Sequence, residues 1–355
     1  MTKFFMQHVP RGMTRFVWLG MALMAFLTVI VVTTASDYNV YLYDSILLAC
    51  IGAIALQILQ GSAGLVSVGS AGFMLFGAFG TVYMHRAGIP FPVDVLIGAV
   101  FAGLTGLVTG IPALRLKALF LALATLATHF VALYLGTLYQ SRVEGARETG
   151  FNIPILFSSY GLASSARYWA WVLLGVVLMV LIGASRTMAE RTGRAMRMMR
   201  EHEHVAPVFG IEVRAYKLKL FVLTSMLFGL EGGLAAHFSG NVVVDQFTLL
   251  LAFQFVAMII IGGIDSLAGA IIGAVIVIGL PSVIPNVVKL FLSDSRANQD
   301  GSFISLIVYG IVLVIFATSS QDGIVGLIRR GSTAIVGGKK STGTSLLAQE
   351  ATADD

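Results

Sequence analysis

Two ionisable side chains stand in the middle of apolar runs: Glu231 in LFGLEGGLAAHF and His129 in LATLATHFVAL, beside Thr125 and Thr128. A carboxylate and an imidazole can relay a proton, hold a polar ligand or act as acid and base. Ionisable groups are expensive in hydrocarbon, which makes them candidates for function by default. The competing reading, a buried hydrogen-bonder that only holds helices together, carries equal weight for each of them. His237 lies nearer the end of the Glu231 run, and Gln57 and Gln60 are neutral groups that need partners in an apolar setting. A Glu231–His129 pair would suit a proton relay in a stand-alone ion-coupled transporter, or an acid–base pair in a membrane enzyme.

A second kind of chemistry sits in QGSAGLVSVGSAGFMLFGAFG, residues 60–80. Small residues let helices approach closely, so packing is the simpler explanation. Unwound backbone lining a polar path is the alternative, with Ser62, Ser67 and Ser70 adding uncharged hydroxyls. The block IIIGGIDSLAGAIIGAV, residues 259–275, reads as helix packing around Gly269 and Gly273, with a turn at Gly262 and Gly263.

The third feature is the polar stretch RTGRAMRMMREHEHVAPVFGIEVRAYKLKLF. Arg194, Arg197 and Arg200 recur every three residues among methionines, which predicts an amphipathic helix. A short segment then starts near Ala206 and Pro207, because proline is tolerated in a first helical turn, and stops at Gly210. The plain interpretation is a basic loop. The sharper one is a docking surface for another protein, anchored by Met199, Val208 and Phe209. His202 and His204 lack a third ligand nearby for a metal.

Several chemistries lack their residues. GGKKSTG in the tail is not a phosphate-binding loop, because Lys340 follows Lys339 and no glycine stands five residues before Gly338. No GxSxG, HExxH or CxxC occurs. The single cysteine, Cys50, excludes a disulfide framework and reads as a small buried side chain. Catalysis and resident cofactors or metals are therefore not expected of this chain.

These residues are carried by a strongly apolar sequence. Only 12% of the 355 residues are charged, against about 25% in an average globular chain, and mean hydropathy is +0.88. That excludes a soluble fold of this size. Runs long enough to cross a bilayer, which takes about 20 residues, lie near 16–34, 44–61, 64–84, 91–110, 118–140, 168–184, 218–238, 247–264, 267–288 and 303–319. Glycines interrupt the second and third, so a broken or re-entrant helix is plausible at 61–72. The expected fold is an all-α membrane bundle of about ten spans.

With both termini cytoplasmic, only Arg86, Arg142, Arg147, Arg167, Lys289 and Arg296 of the 23 basic residues fall outside, which fits the positive-inside rule. The net charge of +5 then records orientation in a lipid bilayer and gives no reason to expect nucleic acid. The organisation read from this is a cytoplasmic tail at 1–15 and a membrane domain at 16–330. An outer loop spans 141–167 and the large inner loop 185–217. A tail at 331–355, rich in Gly, Ser, Thr and Ala, has the composition of a disordered segment.

Taken in order, several blocks resemble one family, the LivM-like permease subunits of branched-chain amino acid ABC importers. GSAGLVSVGSAGFMLFGAFG, GIPALRLKALFLALATLA, the 193–225 stretch, IIGGIDSLAGAIIGA and DGIVGLIRR are similar to its conserved blocks. The resemblance covers most of residues 60–330. It implies a bacterial inner-membrane importer with a second, LivH-like permease, two cytoplasmic ATPase subunits holding ATP and Mg, and a periplasmic substrate-binding protein. It also implies that Ala206 and Gly210, supported by Arg197 and Arg200, couple the chain to the ATPase.

The match is imperfect. His204 and Val205 stand where the family has Glu and Ala, Ser70 where a His is common, Ala118 for a Gly, and Glu231 for a small apolar residue. The expected path residues are Ser67, Ser70, His129 and Glu231. The expected cargo is a branched-chain or related amino acid, with urea, a short amide or another small organic solute as the alternative.

Overall fold

The computed structural model describes residues 11–113, 118–143, 146–156, 162–264 and 266–291, together with residues 307, 310, 311 and 314. The helices are α1 (Arg11–Thr34), α2 (Asp37–Leu56), α3 (Ser70–Arg86), α4 (Val93–Ala113), α5 (Ala118–Arg142) and α6 (Ala146–Thr149). They continue with α7 (Leu162–Ala189), α8 (Arg191–Glu201), α9 (Val213–Ser239), α10 (Leu249–Gly262) and α11 (Leu267–Phe291). Among the described residues six helical stretches are long and apolar enough to cross a membrane, and Gly20–Thr34 and Leu267–Ser282 are shorter apolar helices. The all-α expectation holds apart from a two-residue ladder, in which β1 (Phe151–Asn152) pairs antiparallel with β2 (Asn241–Val242). Of the tenth expected run, 303–319, and of the tails, almost everything lies outside the described residues. The exceptions are residues 307, 310, 311 and 314 of that run, and Arg11–Arg15, expected as tail and already part of α1.

The sequence places a run at 64–84 and a broken or re-entrant helix at 61–72, and the structure has a break there. α2 passes into a wider π-helical turn at Gln57–Ser62, residues 64–69 are not helical, and α3 begins only at Ser70. The broken segment is therefore real, and the reason is local. Gly64 takes a left-handed conformation with φ of 71°, open to glycine at little cost. The freed backbone groups find side-chain partners: the Val68 N–H donates to Thr125 Oγ1 at 3.0 Å and the Gly69 N–H to Ser67 Oγ at 3.4 Å.

Close packing unites α3, α4 and α9. Gly77 of α3 lies so near Gly229 of α9 that a Cβ on Gly77 would collide with the Gly229 backbone, and a Cβ on Gly229 would press on Ala99 and Ala102 of α4. This is small-residue packing of the kind expected where lipid supplies no hydrophobic drive between helices. α10 and α11 make a similar hairpin, with Gly262 against Gly269 and Gly273 against Met258, so the 259–275 glycines serve packing. α2 is the most enclosed span, its apolar window 78% buried against 28% for α5, which makes α2 central and α5 peripheral. Trp169, Phe73, Phe221, Phe228 and Phe255 fill the interior, and Cys50 is buried among its neighbours as a small apolar side chain.

Contacts sort the helix ends into two groups. One end gathers the starts of α2 and α7, where Asp37 meets Arg167 at 3.6 Å, and the ladder joining the 143–156 segment to the α9–α10 connection. The other end gathers α8, the π turn, the start of α9 and the α10–α11 turn, linked by Arg200 to Gly61, Lys217 to Glu203 and Gln57 to Ile264.

Candidate functional site

At the α8 end, Glu190 turns the chain from α7 into α8, and the helix buries Gly193, Ala195, Met196 and Met199 while its arginines face outward. Met199 is thus part of the core at 3% exposure, which corrects its expected role as an exposed anchor. The physical reason is helical spacing: Met196 and Met199 stand three residues apart on one stripe, and that stripe meets the bundle. Arg197 bonds locally, Nε to Gly193 O and Nη2 to Met188 O, both at 3.3 Å. Arg200 reaches further. Its Nη1 donates to Gly61 O at 2.6 Å, inside the π turn, and its aliphatic stem lies against Gly64.

After α8 the chain makes one turn of 3₁₀ helix, Ala206–Phe209, with Pro207 in its first turn, and stops at Gly210 in the left-handed conformation, φ 74°. Ala206 is fully buried and fixes the turn to the bundle, whereas Val208 and Phe209 are 82% and 67% exposed. Apolar side chains on a polar loop at this exposure form a projecting knob. Lys217 Nζ holds the preceding loop by an ion pair to Glu203 Oε1 at 2.5 Å.

Beside the broken segment a polar cluster forms within the bundle. Ser67, Ser70, Thr125 and His129 are all buried to 1% exposure or less. Gly72, in the first turn of α3, lies directly against His129. Thr125 is occupied by Val68, but Ser70 Oγ and both ring nitrogens of His129 have no hydrogen-bond partner among the described residues. The first N–H groups of a helix also lack intrahelical partners. The break thus leaves a hydroxyl, an imidazole and the first amides of α3 buried near one another's backbone.

Glu231 does not join that cluster. It is 2% exposed, and its Oε2 lies against Gly52 of α2 beside Phe255 of α10, again without a partner. Since neither His129 nitrogen is bonded, no hydrogen bond links the two residues. A crevice of about 460 Å³ between α3, α4 and α5, lined by Leu75, Phe76, Phe101 and Leu135 among others, is almost wholly apolar. It has nothing to hold a charged solute.

Two buried carboxylates escaped the sequence reading. Asp44 in α2 is fully buried with both oxygens unpartnered among the described residues. Asp94 in α4 is fully buried between His85 of α3 and His237 of α9, at 3.0 and 2.7 Å from its Oδ2. Both lie within expected runs, at 44–61 and 91–110, so the cost of an ionisable residue in a span was a usable signal for each.

A family model described as branched-chain amino acid transport system / permease component matches residues 38–317. The chain belongs to this family. The LivM permease protein of the high-affinity branched-chain amino acid transport system of Escherichia coli (strain K12) is 26% identical over 249 residues, 63% of this chain and 58% of that protein. The probable branched-chain amino acid transport permease protein LivM of Methanocaldococcus jannaschii is 21% identical over 245 residues, 65% of this chain and 68% of that protein. No solved structure matches. The aligned part thus spans less than two thirds of the Escherichia coli relative. The chain is thus a LivM-like member of that permease-component family.

Proposed function

We propose that this permease is the membrane subunit of an ABC importer for a branched-chain or related amino acid, driven by partner ATPases through alternating access. In this reading it crosses a bacterial inner membrane about ten times with both termini in the cytoplasm. Its partners are a LivH-like permease, two ATPase subunits that bind ATP and Mg, and a periplasmic binding protein.

The observation that carries the reading is the physical route from the projecting Val208–Phe209 turn to the broken segment. Ala206 and Gly210 shape the turn, α8 connects it to the bundle, and Arg200 grips the Gly61 carbonyl where α2 gives way to residues 64–69. A push on the turn moves α8, and α8 cannot move without pulling on the break. Arg197 stiffens the α7–α8 corner that transmits the motion. At the far side of the break, Ser67, Ser70 and His129 form the polar lining of the path, and the α3 N-terminus suits the carboxylate of an amino acid. Glu231 is a second path position, on α9 facing α2, where relative motion of those helices would change its surroundings.

Copurification and reconstitution test this. The permease should bring down an ATPase subunit, and vesicles holding the permease alone should move no solute. Uptake by the single chain on a proton gradient would overturn the proposal in favour of an ion-coupled transporter. A panel of branched-chain amino acids, urea and short amides offered to the complete importer decides between the cargo classes.

A further inference from the structure

The structure assigns a divalent transition-metal site to His85, Asp94 and His237, at the end of the bundle opposite α8. His85 Nδ1, Asp94 Oδ2 and His237 Nε2 lie within 4.8 Å of one another. The two histidine–carboxylate separations are 3.0 and 2.7 Å. Ligand atoms around a tetrahedral zinc ion are roughly 3.3 Å apart, given bonds of about 2.0–2.1 Å. Filling the site would lengthen the two histidine–carboxylate separations toward that spacing, with the imidazole nitrogens already within 4.8 Å of each other.

The three residues come from the last turn of α3, the first turn of α4 and the last turn of α9, so the site is built on rigid elements. Among the described residues the three ligand atoms bond only to one another, and the surrounding contacts orient them. Asp94 Oδ1 takes the Val95 N–H at 2.8 Å, which turns Oδ2 toward the histidines. The His237 ring stands edge-on to Phe91, with centroids 5.4 Å apart, and Phe91 in turn packs on Trp169.

Charge argues in the same direction. Asp94 and His237 are fully buried, and no Lys or Arg among the described residues forms an ion pair with Asp94. The nearby Arg86 guanidinium lies over the Phe151 ring, 5.7 Å from its centroid. The Asp94 carboxylate is buried with two imidazoles as its side-chain partners, and a buried carboxylate is costly unless it is paired. A divalent cation held by all three side chains would pair it. Two imidazoles and one carboxylate select zinc or a similar late first-row ion over magnesium or calcium. His85 remains 24% exposed, leaving one side open for a water ligand.

The test uses the full chain purified without a polyhistidine tag, stripped with a chelator and dialysed against zinc. Wild type should retain about one equivalent by elemental analysis, and His85→Gln and Asp94→Asn should weaken binding at least tenfold. A His202→Gln/His204→Gln variant should bind as wild type does. Because His85 is partly exposed, His85→Gln preserves the fold, checked by its thermal transition and elution profile. With cobalt as the probe, wild type should give a ligand-field absorption band that His85→Gln lacks. Equal zinc retention by wild type and His85→Gln, or loss of zinc in the His202/His204 variant, would overturn the assignment.

Discussion

Arg200 Nη1 lies 2.6 Å from the carbonyl oxygen of Gly61, a contact across 139 positions of sequence that ties an outward-facing helix to the irregular segment before α3. Charge-assisted hydrogen bonds are shorter and stronger than neutral ones, and this one caps a carbonyl freed where the helical pattern widens.

Arg200→Ala should therefore uncouple hydrolysis from transport. Uptake by the complete importer should fall about tenfold or more, while complex assembly and ATP hydrolysis persist; Arg200→Lys should restore part of it. Parallel uptake and ATPase assays in proteoliposomes check this, and wild-type uptake by Arg200→Ala would sink the idea.

The projecting turn makes a separate claim. Val208→Asp and Phe209→Asp should abolish ATPase copurification yet leave the thermal transition of the isolated permease unchanged, because both side chains are already exposed. Gly210→Arg should act similarly on coupling, since the left-handed position penalises any side chain. A drop in permease stability in the aspartate variants would mean that the turn packs rather than docks.

His129→Gln should lower uptake severalfold and keep the fold, because it nearly fills the space of a fully buried ring, where His129→Ala would leave a cavity. Glu231→Gln should likewise keep the fold and change uptake rate or substrate range. Unchanged transport in either variant would leave that residue as packing.

Helix contact gives the fourth prediction. Gly77→Val should destabilise by about 1–3 kcal/mol or more through overpacking against Gly229. Gly175→Ala in α7, where an added Cβ meets nothing within 4 Å, should be neutral or stabilising by up to about 1 kcal/mol. Thermal unfolding of the two variants in the same detergent tests the contrast.

The sequence made some of this legible because certain residues have one physical meaning. Pro207 and Gly210 delimit a short turn by their backbone preferences alone, and glycines at 61, 64 and 69 announce a break. Glu231 is an outlier in any apolar window. What stayed hidden depends on which elements become neighbours. Nothing local reveals that Arg200 would meet Gly61, or that Glu231 faces α2 while His129 faces α3. Met199 was misjudged because a stripe of methionines looks the same whether it meets a partner or the bundle. Asp94 and Asp44 gave a weaker form of the Glu231 signal, because they stand close to expected run ends, where an acidic residue usually meets water, and only the packed helices show their burial to be complete.

The break before α3 also stores length. Six residues at 64–69 that are not coiled can span up to about 20 Å, whereas as α-helix they would rise only about 9 Å. Winding this stretch onto α3 would take up as much as roughly 10 Å of that reach, and because α3 is held at Gly77 against Gly229 the shortening would fall on the side where Arg200 grips Gly61. The chain thus carries its own spool, and Arg200 holds the loose end.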